Sequence, residues 1–230
     1  PIRGALRKQQ QFVSDASHEL RTPLAVIQSR ADLLLRSPQS TIEDKAEEIS
    51  VISKECRRLT KLVGNLLMLA RTDSNAININ IQRFDLSELV TEIVELYGSV
   101  AEMEGKKVVL KAESGVMLNG DKERIHQMIV ILLDNALKFT NEHGEVTVFC
   151  KKVNNQVELS VADNGIGIRK EDLPLIFDRF YQGEKSRSDE EGTGLGLSIA
   201  KWVIEQHQAK VKVNSEVGKG TNVKITFPKT

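Results

Sequence analysis

The chain lacks any run of apolar residues near the roughly 20 needed to cross a bilayer. Its opening, Pro1-Ile2-Arg3, shows no leader pattern of a basic patch followed by an apolar stretch. On that reading the 230 residues are a soluble chain, yet one that enters a helical pattern abruptly, as a fragment of a longer protein would. Net charge is missing too: 32 Lys and Arg balance 32 Asp and Glu, which excludes a global field for nucleic acid or anionic lipid. Cysteine is scarce. Cys56 and Cys150 are too far apart in sequence for a metal cluster or a disulfide framework, and each falls on an apolar pattern, so both read as packed free thiols in a reducing compartment. No Gly-x-x-x-x-Gly-Lys-Ser/Thr stretch is present, which excludes a P-loop. What remains, with 40% apolar residues, is enough for one large or two small cored domains.

The first half is patterned for helix. Between about Leu6 and Leu35, the residues Leu20, Leu24, Ile27, Ala31 and Leu34 recur at coiled-coil spacing, and at about 100° per residue His18 lies roughly 160° from that stripe. His18 should therefore face water, with Glu19 beside it as a base. Pro23 lacks an N–H and crowds the Glu19 carbonyl, so a local kink is expected next to His18. Ser37-Pro38-Gln39 stops the helix, and Ser40-Thr41-Ile42-Glu43 fits a capping box that opens a second one. Its seam runs Ile42, Ile49, Ile52, Cys56, Leu59, Val63, Leu66, Ala70. Two antiparallel helices of about 30 residues present more apolar surface than one hairpin can cover. A two-fold dimer making a four-helix bundle, with His18 outside, answers this; packing the hairpin on the second domain is the competitor and would hide the surface around His18. The pattern ends at Arg71-Thr72-Asp73-Ser74-Asn75, and Ile77-Asn78-Ile79-Asn80-Ile81 alternates like a short edge strand or an extended linker. This divides the chain into a helical domain (1–73), a linker (74–83) and an α/β domain (84–230).

In the second half, Asp85-Leu86-Ser87-Glu88 can cap a helix with Leu89, Ile93, Leu96 and Val100 inward, followed by a strand near Val108-Val109-Leu110. Asp121 opens another helix, with Ile125, Met128, Ile129, Leu132 and Ala136 inward and Asn135 and Lys138 sharing a different strip. Strands at Val146–Cys150 and Val157–Val161 flank Asn154-Asn155, which suits a hairpin turn. Asp163-Asn164-Gly165-Ile166-Gly167 follows the second strand directly. Its glycines permit close backbone approach to a flat ligand, and Asp163 is an acceptor able to read an exocyclic amine. After Ile176-Phe177-Asp178-Arg179-Phe180-Tyr181 comes a polar run through Lys185 and Arg187 that reads as a lid. Gly192-Thr193-Gly194-Leu195-Gly196 then leads into a helix from Leu197 to Gln206 whose bare N–H groups suit phosphate oxygens. A last hairpin, Val211 to Asn214 and Val223 to Phe227, turns through Gly218-Lys219-Gly220-Thr221. Taken singly, each of these signals has a bland reading: a solvated His-Glu pair, a turn, a flexible loop. Trp202 and Met128 read as packing, and His126, His143 and His207 as ordinary surface, turn and helix-end residues.

Ser17-His18-Glu19-Leu20-Arg21-Thr22-Pro23-Leu24 closely resembles the H-box of sensor histidine kinases, and the ordered motifs from Asn135 to Thr221 resemble the ATP-binding domain of the same family. The resemblance implies a dimeric helical bundle followed by an α/β sandwich of the histidine-kinase, gyrase and chaperone type, the cytoplasmic part of a membrane-anchored receptor. It implies ATP and Mg²⁺, with Asp163 and Thr221 at adenine, Asn135 on the metal, and Lys138 and the backbone of Gly192, Gly194 and Gly196 at phosphates. Gly165, Gly167, Tyr181, Lys185 and Leu195 belong to the same implied site. His18 would take the γ-phosphoryl group with Glu19 handling its proton, and would pass it to an aspartate of a response regulator. Thr22 would orient water for dephosphorylating that partner. Two positions depart from the family. Ile131 stands where an asparagine is common, and Gln182 where an arginine is common, which leaves Lys138, Lys185 and Arg187 as candidates for charge neutralisation. Ile131 also bears on the ATP-driven clamps of the same fold, which carry a water-activating glutamate there that an isoleucine cannot replace. A non-catalytic scaffold holding ATP as a structural ligand is opposed by the intact His18, Glu19, Asn135 and Asp163.

Overall fold

Helix α1 covers Ile2–Leu35 and α2 covers Ala46–Asp73 in a computed structural model that describes residues 2–74, 77–183 and 192–228. The two pack together as the expected hairpin. α1 is continuous through Pro23, which is buried. Lacking an N–H, Pro23 leaves the Glu19 carbonyl without its intrahelical donor.

Details of the hairpin differ from expectation. The expected capping box does not open α2, whose N-cap is Lys45 without a side-chain cap bond; reciprocal bonds form instead in the preceding turn, where Thr41 N–H donates to Asp44 Oδ2 (2.9 Å) and Asp44 N–H to Thr41 Oγ1 (3.2 Å). The seam of α2 is also shifted. Leu62 and Leu69 are buried with Glu55 at the same spacing of seven, while Ile42 is 80% exposed and Ile49, Cys56 and Val63 are exposed with it. One neighbouring helix covers one stripe, so the other stripe stays open, and Cys56 is not a packed thiol. Leu24 of α1 is exposed for the same reason.

The chain divides into two compact units, one made of the described residues of Pro1–Ala76 and Glu184–Leu195, the other of Ile77–Gly183 and Gly196–Thr230. In the second unit, residues 77–81 form no strand; instead Asn80 N–H donates to Asp121 Oδ2 (3.0 Å). Strand β1 (Gln82–Asp85) then pairs antiparallel with β3 (Met117–Gly120) as a separate ribbon. The main sheet is mixed, in the order β2 (Lys107–Ala112), β4 (Glu145–Val153), β5 (Gln156–Asp163), β7 (Gly220–Phe227), β6 (Lys210–Glu216), with only the β2–β4 pair parallel. Alternation along β5 turns Val157, Leu159 and Val161 into the core, opposite Phe227, Ile225 and Val223 of β7. Asn154 and Asn155 both take positive φ (47° and 64°), as the β4–β5 hairpin turn requires.

Helices α3 (Leu86–Met103), α4 (Lys122–Phe139) and α5 (Gly196–Gln206) contribute to one hydrophobic core with the sheet. Asp85 and Asp121 cap α3 and α4 through bonds from Glu88 N–H and Arg124 N–H. Met128 is fully buried and Trp202 packs on the core, as expected. The inner face of α3 is rotated from the expected one: Leu86, Val90, Val94 and Ala101 are buried with Leu89 and Ile93, whereas Leu96 is 68% exposed and Val100 and Met103 are exposed. Ala101, small enough to bring the last turn close, decides the face there. Cys150 is buried on β4, and burial pushes its thiol up to about 12, with Asp85 and Glu113 adding to the shift. His207 directly follows the last residue of α5, as expected of a helix-end residue. It is buried, and its Nε2 accepts Asp121 N–H (2.9 Å) while Nδ1 faces Val203 O (2.7 Å), an arrangement that requires the neutral ring with its hydrogen on Nδ1.

Candidate active site

His18 and Thr22 are exposed on α1, one helical turn apart. Glu19 is half-buried against α2, where Arg58 Nη2 stands 3.9 Å from its Oε2. Burial raises the Glu19 carboxyl above the ordinary range, Arg58 pulls it back, and Asp15 adds a smaller push upward. Arg58 is shared. Its Nη1 lies 3.7 Å from Oε2 of the buried Glu55, an oxygen that accepts no hydrogen bond. A base beside an exposed imidazole is thus held by a cation from the neighbouring helix. Arg58 went unread in the sequence because a charge flanking a helical seam is ordinarily a solvated one; the one hint was Glu55, three residues before it and at the seven-residue spacing of Leu62 and Leu69.

In the second unit, the end of α4, the turn after β5 and the start of β7 converge. Asp163 Oδ1 accepts Gly165 N–H (2.9 Å) and Thr221 N–H (3.2 Å), and Thr221 is its register partner across β5–β7. Burial raises the Asp163 carboxyl, and those two N–H groups oppose the shift. Ile166 N–H donates to Phe139 O (3.1 Å), which ties the turn to the last residue of α4. The close approach allowed by Gly165 is to protein rather than to a ligand, since a Cβ there would lie 2.0 Å from Phe139 O. Gly167 packs likewise against the backbone of Glu216. Asn135 and Lys138 lie half-buried one turn before and at this end of α4. Lys138 Nζ stands 5.4 Å from the Phe139 ring centroid, and the Asn135 amide makes no hydrogen bond among the described residues. No group of three or more His, Cys, Asp or Glu able to hold a metal exists among those residues. A lone amide oxygen fits Mg²⁺ arriving on nucleotide phosphates, since that ion needs few protein ligands, and does not fit a resident ion.

Tyr181 is engaged elsewhere: its hydroxyl donates to Asp172 Oδ1 (2.5 Å), and Arg169 Nε donates to Asp172 Oδ2 (2.8 Å). The Arg169 bonds, then Tyr181, hold the Asp172 carboxyl below its usual range. Gly196 begins α5 on top of Ile131, whose Cγ2 would be 3.2 Å from a Cβ at that glycine. Gly192, Gly194 and Leu195 group with the first unit, where Leu195 N–H donates to Thr193 Oγ1 (3.4 Å). Lys185 and Arg187 lie outside the described residues. Ser215 was missed altogether. It contacts Thr221, Gly220 and Ile168, and its position opposite Thr221 in the terminal hairpin was the signal that could have found it.

Residues 8–75 match the family model for the His Kinase A (phospho-acceptor) domain, and residues 120–230 match that for the histidine kinase-, DNA gyrase B- and HSP90-like ATPase. The chain is 37% identical over 222 residues to the sensor histidine kinase YkoH of Bacillus subtilis, covering 96% of this chain and 48% of that protein. It spans about half the length of the curated relatives it matches. Among solved structures, full-length ShkA in complex with AMPPNP superposes with a TM-score of 0.71 at 26% identity, over 95% of this chain and 45% of that one. Histidine kinase ThkA in complex with the response regulator protein TrrA gives a TM-score of 0.77 at 23% identity, over 99% and 64% of the two chains, a likeness of fold. With a phosphoacceptor domain followed by the matching ATPase domain, and relatives along nearly all its length, the chain belongs to the sensor histidine kinase family.

Proposed function

We propose that the chain is the kinase core of a sensor histidine kinase: ATP phosphorylates His18, and the phosphoryl group then passes to an aspartate on the receiver domain of a response regulator. The observation that carries this is the water-exposed His18 beside a half-buried, cation-held Glu19, in one chain with the Asp163–Thr221 acceptor site. Residues 1–73 serve as the dimerisation and phosphotransfer domain, 74–83 as the linker and 84–230 as the catalytic domain. The open stripe Ile42, Ile49, Cys56 and Val63 supports pairing with a second copy, because a single hairpin leaves it in water.

Phosphoryl transfer asks the protein mainly for positioning and charge stabilisation. A ring nitrogen of His18 attacks the γ-phosphorus in line, forming N–P as the bond to the ADP oxygen breaks. Glu19 receives or orients the proton of the other ring nitrogen. Asp163 accepts from the adenine amine, Asn135 would hold Mg²⁺ together with phosphate oxygens, and Lys138 meets phosphate. When bound, the ion neutralises phosphate charge. Thr22, exposed one turn from His18, orients water for the reverse task of dephosphorylating the regulator.

The test is incubation of the intact chain, His18→Gln and Asn135→Ala with γ-labelled ATP and Mg²⁺. Acid-labile, alkali-stable label is expected on the intact chain and on neither variant. Label that persists on His18→Gln would show that the phosphoacceptor is another residue.

A further inference from the structure

Ser215 has no part in the mechanism above, yet its hydroxyl is where two segments of the proposed adenine site, the turn after β5 and the start of β7, meet β6. It accepts Ile168 N–H (2.8 Å) from the turn after β5. It donates to Gly220 O (3.0 Å) at the start of β7. It also touches Thr221 Oγ1 at 2.8 Å, and the two residues are register partners across β6–β7. A hydroxyl owns one hydrogen and two lone pairs. With the hydrogen on Gly220 O and one lone pair on Ile168 N–H, the remaining lone pair must receive the Thr221 hydrogen. This assignment satisfies all three contacts; donation from Ser215 to Thr221 would forfeit the bond to Gly220.

We infer that Ser215 is a positioning residue that sets base specificity: by taking the Thr221 hydrogen it leaves Thr221 Oγ1 with lone pairs only, so that Thr221 and Asp163 together present acceptors and select a purine bearing an amine at C6. The inference deepens the proposed nucleotide site and rests on Asp163 facing the base. Geometry favours the pairing of the two residues, because Thr221 N–H is itself bonded to Asp163 Oδ1 (3.2 Å), which places both at one crossing of β5 and β7. Without the Ser215 hydroxyl, Thr221 regains a hydrogen that it can turn toward the ring nitrogen N1, and the demand for the C6 amine relaxes.

The experiment is calorimetric titration of the whole chain with Mg-ATP and with Mg-purine riboside 5′-triphosphate, which lacks the C6 amine and keeps N1. The intact chain should prefer ATP. Ser215→Ala should narrow that preference about fivefold, the worth of one neutral hydrogen bond, while Ser215→Thr, which keeps a hydroxyl, should retain the preference. Thr221→Val should narrow it as well, and in that background Ser215→Ala should change nothing more. Equal weakening of both nucleotides by Ser215→Ala, or an unchanged preference, overturns the inference, since a merely structural role moves both affinities together. A wild-type preference in Thr221→Val overturns it independently of how Ser215→Ala folds. Asp163→Ala tests the underlying site: undiminished ATP binding there refutes the adenine reading itself, whereas lost binding with an unmoved Ser215→Ala preference refutes only the role given to Ser215.

Discussion

Gly165→Ala puts the core of the proposed site under direct strain. The added methyl would lie 2.0 Å from Phe139 O, 2.7 Å from the Phe139 carbonyl carbon and 2.9 Å from Asp163 Oδ1. Two of these three neighbours are backbone, so no side-chain rotation relieves the clash. Opening the 2.0 Å separation to the 3.4 Å of ordinary contact must move the end of α4 or the turn after β5. Either movement breaks the Ile166 N–H bond to Phe139 O (3.1 Å) and disturbs the Gly165 N–H bond to Asp163 Oδ1 (2.9 Å). Overpacking costs about 1–3 kcal/mol and each lost hydrogen bond about 1 kcal/mol, and since these effects are coupled rather than additive the expected loss is about 3 kcal/mol. For a unit of this size that lowers Tm by roughly 6–12 °C.

Scanning calorimetry of the whole chain is the right assay because its two units need not melt together. Gly115→Ala supplies the comparison. Gly115, unlike Gly165, has positive φ (+70°), and nothing lies within 4 Å of its would-be Cβ, so only a backbone penalty of about 1–2 kcal/mol applies there, against the purely steric one at Gly165. Mg-ATP binding should be lost in Gly165→Ala and kept in Gly115→Ala. If the two variants melt alike and bind alike, the contact between Gly165 and Phe139 does not organise the site, and the reasoning fails.

Arg58→Met removes the cation that opposes burial at Glu19, so the Glu19 carboxyl rises further. The proton-accepting form is the ionised one and is lost as pH falls through that value, so the acid limb of the autophosphorylation profile should move to higher pH; Arg58→Lys should restore it in part, and an unmoved limb refutes the role of Arg58. Native thiol alkylation should label Cys56 and spare Cys150, whose thiol is buried and pushed up to about 12. Cys56 labelling should also slow as protein concentration rises, because its stripe is the one proposed to meet a second copy; a rate independent of concentration would count against pairing there. Gly98→Ala, inside α3 with nothing within 4 Å of the new methyl, should stabilise the chain by about 1 kcal/mol in denaturant unfolding.

Local signals were legible without coordinates. Asp85 and Asp121 announced helix starts that the structure places at those residues, and Asn154-Asn155 announced a turn whose positive φ values asparagine tolerates better than most side chains do. Signals that depend on how much surface a neighbour covers were not. Leu96 and Leu89 look equivalent in a helical repeat, and only the neighbours each meets in the fold decide that Leu89 is buried and Leu96 open. Cys56 fell on an apolar repeat that one neighbouring helix does not reach. Glu19 was visible as a base by adjacency, but its cation, Arg58, comes from another helix and required the hairpin register. Ser215 was invisible for a similar reason: a serine in a strand carries no message until pairing sets it opposite Thr221.

Ile131 shows how a departure from family pattern is absorbed. Read as sequence, it subtracts a polar group from the metal side of α4. In the fold it supports Gly196, the first residue of α5, at a distance where even a methyl on that glycine would press on Cγ2 at 3.2 Å. The position therefore serves packing between α4 and α5, and the polar work falls on the following turns of the same helix. There Phe139 joins both ends of the proposed ligand: its carbonyl receives Ile166 N–H from the turn that carries Asp163, and its ring lies 5.4 Å from the Lys138 ammonium. A displacement of this helix end would shift the base-reading acceptor and the phosphate-facing cation together. Phe139→Leu, which keeps the carbonyl and removes the ring, should therefore spare the Asp163 turn, and with it the preference for the C6 amine, while weakening triphosphate more than nucleoside binding by about threefold to fivefold, the worth of one exposed cation–π contact. Equal weakening of adenosine and ATP in the same calorimetric titration would show that the ring holds the turn rather than the lysine.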